Sequence, residues 1–346
     1  MSRRSPLAIA LALALLVLAV IVPPVAARSG PQSEHARIVA FWTPARMASA
    51  VPLDLKPVGM MPAAAGGVKG KPGGGGGGGG GGDTTAVTGA SWTRGGPVVD
   101  LTGKVYFKIG SSAYICSGSV LTDANRDSYS LVLTAGHCAF DLSSSRFVTE
   151  WMFIPNFDAQ PSYTCSNTRY GCWTASALVI HYGFANAGSF NNQAVTHDWA
   201  FAVVGPGGKS DTQLDSLGSY PIQFSNVSSG DRLQPFGYPA ASPYNGSDLV
   251  WCAGNITVDV SSSNGSSANA TWGVGCNQTG GASGGPWFAG LNETNGSGGT
   301  VSSLNSYKYT IDKSRMYGPK FNGNTQATYS TALTTTSGNV VVGSAP

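Results

Sequence analysis

The chain is poor in charge. Lysine, arginine, aspartate and glutamate make up 11 per cent of its 346 residues, and the formal net charge is +3. No run or patch of basic residues occurs, which argues against nucleic acid as a partner. Cys-x-x-Cys pairs and clustered Cys/His spacings are missing as well, which argues against a bound metal. Long helical periodicities are scarce. What is abundant is glycine (48 residues), with Ser, Thr and Asn crowding the second half. That composition suits an all-β fold rich in turns.

The first residues read as a secretory signal. Arg3 and Arg4 give a charged start, Leu7 to Val22 is unbroken by polar residues, and Val25-Ala26-Ala27 offers small residues for cleavage. The apolar run is shorter than the roughly 20 residues of a membrane span and ends at Pro23-Pro24. Residues 1–27 are therefore expected to be removed, leaving a secreted protein without stable membrane association. Six cysteines follow the signal and fit an oxidising compartment. Their placement suggests the pairs Cys116–Cys138, Cys165–Cys172 and Cys252–Cys276.

Residues 28–65 carry one short helix around Pro44 to Val51 and little else that could form a core. A Gly-rich linker spans 66–82, with an unbroken glycine tract from Gly73 to Gly82. It divides a segment 28–97, read as a pro-region or tether, from a main domain at 98–346. Within that domain, strands are expected at Lys104 to Ile109, Tyr114 to Leu121, Tyr129 to Thr134, Glu150 to Ile154, Trp173 to Ile180 and Trp199 to Val204. After Gly205-Pro206-Gly207-Gly208 a second set follows: Pro221 to Phe224, Arg232 to Gly237, Leu249 to Ile256, Thr271 to Gly275, Pro286 to Ala289, Val301 to Tyr309 and Met316 to Phe321. Two sets of about six short strands imply two β-barrels, near 98–205 and 220–325, or one elaborate sandwich. Ala327 to Thr334 reads as a closing helix. Trp151, Trp173, Trp199, Trp251, Trp272 and Trp287 are expected in the cores, and His35 and His181 at the surface.

Three motifs could carry chemistry. Thr279-Gly280-Gly281-Ala282-Ser283-Gly284-Gly285-Pro286 places a serine among four glycines. Such a loop can expose a hydroxyl and aim backbone N–H groups at one point, although glycine-serine loops are also ordinary turn chemistry. His137 closes the apolar run Leu133-Thr134-Ala135-Gly136 and precedes Cys138, which can pin the turn and fix an imidazole. Asp198 immediately precedes Trp199-Ala200-Phe201-Ala202-Val203-Val204, a setting that buries a carboxylate and obliges it to find partners. Asp141, Asp158 and Asp248 sit in polar loops and are weaker candidates.

Histidine, aspartate and serine in that order, on those motifs, resemble the trypsin-like (chymotrypsin-fold) serine peptidases over about Val98 to Phe321. Cys116-Ser117-Gly118-Ser119-Val120-Leu121 adds to the likeness, as the strand whose cysteine pairs with the one beside the catalytic histidine. The resemblance implies two six-stranded antiparallel barrels with the active site between them. It implies a secreted serine endopeptidase acting as a monomer on protein or peptide substrates, with no cofactor. Ser283 would be the nucleophile, His137 the base and Asp198 its orienting partner, with the N–H groups of Gly281 and Ser283 as oxyanion hole.

Two departures qualify the likeness. Ala282 stands where cleavage-activated relatives carry an aspartate, so no N-terminal ammonium is expected to insert beside Ser283. The implied specificity pocket takes in Asn277, Thr279, Ser302, Leu304 and Asn305, with Gln278 on the same wall. It has no acidic residue to attract Arg or Lys, and no histidine follows His197 to support an analogy with the glutamyl endopeptidases. A neutral pocket for small or apolar residues is the expectation. Ser302 or Ser303 is implied as a further hydrogen-bond partner of Asp198. Among the Asn-x-Ser/Thr sequons (Asn226, Asn245, Asn255 and Asn277 included), a glycan at Asn277 would crowd the cleft. The rival readings are a catalytically silent binding or adhesion module of the same fold, and a non-peptidase acyl hydrolase. The latter's nucleophile-elbow motif runs Ser, Asp, His on an α/β scaffold.

Overall fold

The computed structural model describes residues 31–61, 86–123, 128–157, 164–225, 227–263 and 270–343. The signal segment, the linker at 66–82, Asp158 and Asn226 lie outside the described residues. Among the described residues no helix is long and apolar enough to cross a membrane.

Six strands close a ring. Thr102–Ile109 pairs antiparallel with Ser112–Leu121 on one side and Thr149–Pro155 on the other. Thr149–Pro155 continues to Trp173–His181, then to Ala200–Val204, then to Ser130–Thr134. Ser130–Thr134 returns to Ser112–Leu121 and completes the barrel. All five residues of Ala200–Val204 are fully buried. A closed barrel wrapped by further segments buries both strand faces, so these strands read as apolar runs instead of alternating ones. The expected strands of this half all form, with ends moved by one or two residues. Two short strands add parallel to the ring: Val51–Pro52 beside Ser112–Leu121, and Val340–Val342 beside Trp173–His181.

The second half is assembled from two sheets. Gly298–Leu304, Pro286–Leu291, Arg232–Gly237 and Val250–Asn255 pair in that order, and Val87–Ser91 adds at the Val250–Asn255 edge. Thr257–Asp259, Thr271–Gly275 and Arg315–Gly318 form a separate three-stranded sheet. The Cys252–Cys276 disulfide and a bridge between Tyr307 and Tyr317 tie the two together. Pro221 to Phe224 forms no strand and contributes a single bridge, Ile222 to Val301. Among the described pairings this half does not close into one hydrogen-bonded ring.

Four expectations need correction. The main domain begins upstream of residue 98: Val87–Ser91 is part of the second half, and Trp92 is buried edge-on against Phe236 and Trp251, with ring centroids 5.2 Å away in both cases. The stretch before the linker is not coreless. It forms helices Pro31–Phe41 and Pro44–Ser49, the second opened by Thr43, whose hydroxyl accepts from Arg46 N. Ile38, Trp42, Met47, Leu53 and Met60 are buried. They are too widely spaced to form a core of their own, so they pack on the barrel. Trp42 meets Tyr106 at 5.4 Å and donates its indole N–H to Glu150 O. His35 and His181 are partly buried, since His35 Nδ1 bonds Thr174 Oγ1 at 3.0 Å and His181 stacks on His197 at 5.0 Å. The closing helix runs Gly323–Thr334, started four residues early by an Asn322 capping box. All six tryptophans assigned to the cores are buried.

Candidate active site

Ser130–Thr134 ends in Ala135, and the chain then tightens into the one-turn helix Gly136–Cys138. The turn is tightly packed at Gly136: a Cβ there would stand 3.1 Å from Asp198 Oδ1 and from the Phe184 ring. Disulfide Cys116–Cys138 staples this turn to the neighbouring strand. His137, 1 per cent exposed, is thereby fixed at the barrel's rim.

Asp198 is fully buried immediately before the strand Ala200–Val204. Its Oδ1 accepts from His137 N at 2.9 Å, and its Oδ2 lies 2.8 Å from His137 Nδ1. A carboxylate can only accept, so Nδ1 carries a proton, and in the neutral imidazole Nε2 keeps its lone pair. Ser306 Oγ donates to the same Oδ2 at 2.5 Å. These bonds offset the desolvation of a buried charge. Among the described residues His137 Nε2 has no hydrogen-bond partner and is buried, so no bond joins it to Ser283 in this state. The edge of Phe190 packs against the imidazole at 5.4 Å.

Ser283 belongs to the second half, and side chains hold its loop in place of an ion pair. Ala282 is fully buried and its N–H turns inward to Thr279 O. The N–H groups on either side of it, of Gly281 and Ser283, donate to nothing among the described residues. Gly281 has φ +98°, a conformation suited to glycine. Asn305 Nδ2 reaches Phe236 O, Gln278 Oε1 and Ala282 O at 2.8 to 3.1 Å, while Asn305 Oδ1 accepts from Trp287 Nε1. Ser117, on the barrel strand that carries Cys116, ties the halves together. Its N donates to Ser283 O, and its Oγ donates to Gly281 O and accepts from Tyr238 N.

A cavity of about 470 Å³ opens beside Ser283, lined by Asn277, Thr279, Ser306, Tyr307, Lys308 and Met316, among others. Asn277 and Thr279 lie where the pocket was expected, but Ser302, Leu304 and Asn305 do not line it. The strand ends at Leu304, and Asn305 turns into the Ser283 loop. The same offset corrects the expected partner of Asp198. Ser303 donates to Pro319 O and Ser302 bonds Gln223 and Thr300, so the role falls to Ser306. Lys308 had no sequence signal pointing to it. Its Nζ donates to Cys276 O and Gln278 O, both at 3.0 Å, and burial lowers its pKa to about 8.

Residues 87–183 match the family model of the lysyl endopeptidase C-terminal domain. A search of curated proteins finds no match. Among solved structures, protease Anisep from Arthrobacter nicotinovorans is 38% identical, over 72% of this chain and all of its own, with a TM-score of 0.59. The chain belongs to the chymotrypsin-fold serine peptidases. A thermostable serine protease, AL20, from an extremophilic microorganism is 36% identical, covering 69% of this chain and all of its own, with a TM-score of 0.57. A Glu endopeptidase at 15% identity and a TM-score of 0.50, covering 72% of this chain and 98% of its own, shares the fold. The serine peptidase fold thus accounts for the closed barrel, for a second β half, and for a cleft in which residues of both meet.

Proposed function

We propose that the protein is a secreted serine endopeptidase using His137, Asp198 and Ser283. The supporting observation is the state of the imidazole: Asp198 holds Nδ1 and the backbone, while Nε2 is left without a partner. Ser283 Oγ attacks the scissile carbonyl carbon as its proton passes to His137 Nε2. The oxygen of the tetrahedral intermediate is met by the unpaired N–H groups of Gly281 and Ser283. Collapse expels the amine, which takes the proton back from His137, and water then hydrolyses the Ser283 acyl ester by the same route. Asp198 keeps the imidazole oriented and stabilises its cation. Every step uses groups of this chain alone, and the enzyme works as a monomer.

The segment before the linker is the pro-region in this reading, and it covers the cleft. Leu53 N donates to Ile115 O at 3.3 Å, beside Cys116, and Val58 N donates to Phe190 O at 2.8 Å, beside His137. Between them Asp54 and Lys56 stand in the cavity wall with Ser283. Substrate enters once residues 51–61 have left. This covering also explains the buried Nε2, the one observation that would otherwise favour a silent binding module. Fluorophosphonate treatment of the processed protein followed by peptide mapping should label Ser283, and Ser283→Ala should remove both label and hydrolysis. Hydrolysis that survives in the variant refutes the assignment.

A further inference from the structure

The lining of the cavity has a sign. Leaving aside Asp54 and Lys56 of the covering segment, the charged groups in its wall are Lys308 and Lys313, and no carboxylate joins them. Lys313 is exposed at the rim, while Lys308 is 8 per cent exposed. Lys308 follows Ser306, the donor to Asp198, by two residues, so it is fixed to the same backbone that orients the catalytic pair. Two of its three ammonium protons are taken by Cys276 O and Gln278 O, carbonyls on either side of Asn277. The third has no acceptor among the described residues. Tyr307 and Tyr309 flank it, and both donate to Asp259 Oδ2, which holds this stretch rigid from behind.

We infer that Lys308 is a specificity-determining residue: the cavity beside Ser283 takes an acidic side chain, aspartate or glutamate, on the acyl side of the bond cleaved. This rests on the proposed endopeptidase reading and names its substrate class. A cation held by two carbonyls with one proton unspent is a preformed half of a charge-assisted hydrogen bond. Asn277, in the same wall, accepts from Tyr244 through its Oδ1 and can donate its Nδ2 to the second carboxylate oxygen, while Thr279 Oγ1 donates to Ala241 O. A lysine or arginine substrate would bring a second cation into a cavity with nothing to neutralise it. An apolar one would leave the ammonium proton dry and unpaired. The chain itself already places one carboxylate here, Asp54, paired with Lys56 at 2.8 Å in the covering segment. The neutral pocket read from the sequence is therefore replaced by a cationic one. The match to a lysyl endopeptidase domain covers residues 87–183 and stops short of this wall.

The test uses processed enzyme whose Ser283 is first shown to take a fluorophosphonate. Matched peptides differing only in the residue before the scissile bond (Glu, Asp, Gln, Leu and Lys) are then compared by kcat/KM. Glu or Asp should exceed Gln by roughly ten- to a hundred-fold, the range of a hydrogen bond to a charged group. Lys308→Met should collapse the Glu/Gln ratio towards one, and Lys308→Arg should restore part of it. Preference for Lys or Leu, or a Glu/Gln ratio that Lys308→Met leaves unmoved, overturns the inference. If Lys308→Met does not fold, the wild-type ranking decides alone. Absence of label on Ser283 would instead defeat the triad reading, and the inferred selectivity with it.

Discussion

The two halves of the molecule hold their reacting groups by different means. The first closes six strands into a ring, and His137 and Asp198 sit at the ends of strands that main-chain hydrogen bonds have already fixed. The second is built from two sheets, and Ser283 lies in a loop that side chains must shape: Asn305 from within, Ser117 from across the cleft. The difference suits the tasks. A base needs one orientation, and a closed barrel fixes the backbone for it, so that Asp198 and Ser306 complete the hold. A nucleophile loop must instead present two free N–H groups beside a cavity, and only selected anchors can hold it while leaving those groups unpaired.

The contrast can be tested, beginning with the largest effect. Removing either half's contribution should be catastrophic: Ser283→Ala should cost on the order of 10⁶ in kcat and Asp198→Asn about 10⁴, with Ser283→Ala leaving the thermal midpoint in place. Next, Asn305→Ala strands Trp287 Nε1 and the buried Gln278 Oε1, and should cost about 2–4 kcal/mol of stability together with activity. Ser176→Ala, which removes one bond to Val203 O in the barrel, should cost about 1 kcal/mol and no activity. Equal losses in urea melts would erase the distinction between the halves.

A smaller effect concerns pH. Lys308 titrates near 8 because burial disfavours its charge. Lys56 adds to that, Asp312 and Asp54 oppose it, and Lys313 shares the cavity. The ammonium is the form at lower pH, so in the processed enzyme, from which Lys56 and Asp54 have departed, the Glu/Gln ratio in kcat/KM should hold through neutrality and fall at alkaline pH. A ratio unchanged to pH 10 would detach selectivity from Lys308. The smallest expected effect is none: residues added ahead of the processed N-terminus should leave activity intact, because Ala282 offers an ammonium no partner. Loss of activity would mean that the loop depends on a terminus after all.

The first half was nearly all legible in the sequence, because strands buried on both faces leave continuous apolar runs bounded by turns. The second half was less so. Val301 to Tyr309 reads as one strand because its tyrosines look apolar. Yet the strand stops at Leu304, and Tyr307 and Tyr309 turn their hydroxyls to Asp259. That slip displaced the partner of Asp198 from Ser306 to Ser302 or Ser303, and it moved the pocket off Lys308. Helix Pro31–Phe41 escaped because Ile38 and Trp42 bury against a distant barrel, a contact no local pattern announces. Ser283, His137 and Asp198 stood out because each has a setting that is unusual on local grounds: glycines around a serine, a cysteine after a histidine, a carboxylate before an apolar run.

The covering segment 51–61 has a consequence for how the enzyme would switch on. While it belongs to the same chain, it meets the cleft at a local concentration set by the 25 residues (62–86) between it and Val87, about millimolar for a short connection. Dilution cannot dislodge it. A single cut in that connection makes the same contacts an encounter between two molecules, and their occupancy then falls with protein concentration. Export into a large volume would thus complete activation after the cut, so the newly cleaved enzyme should be quiet in a concentrated stock and active once dispersed.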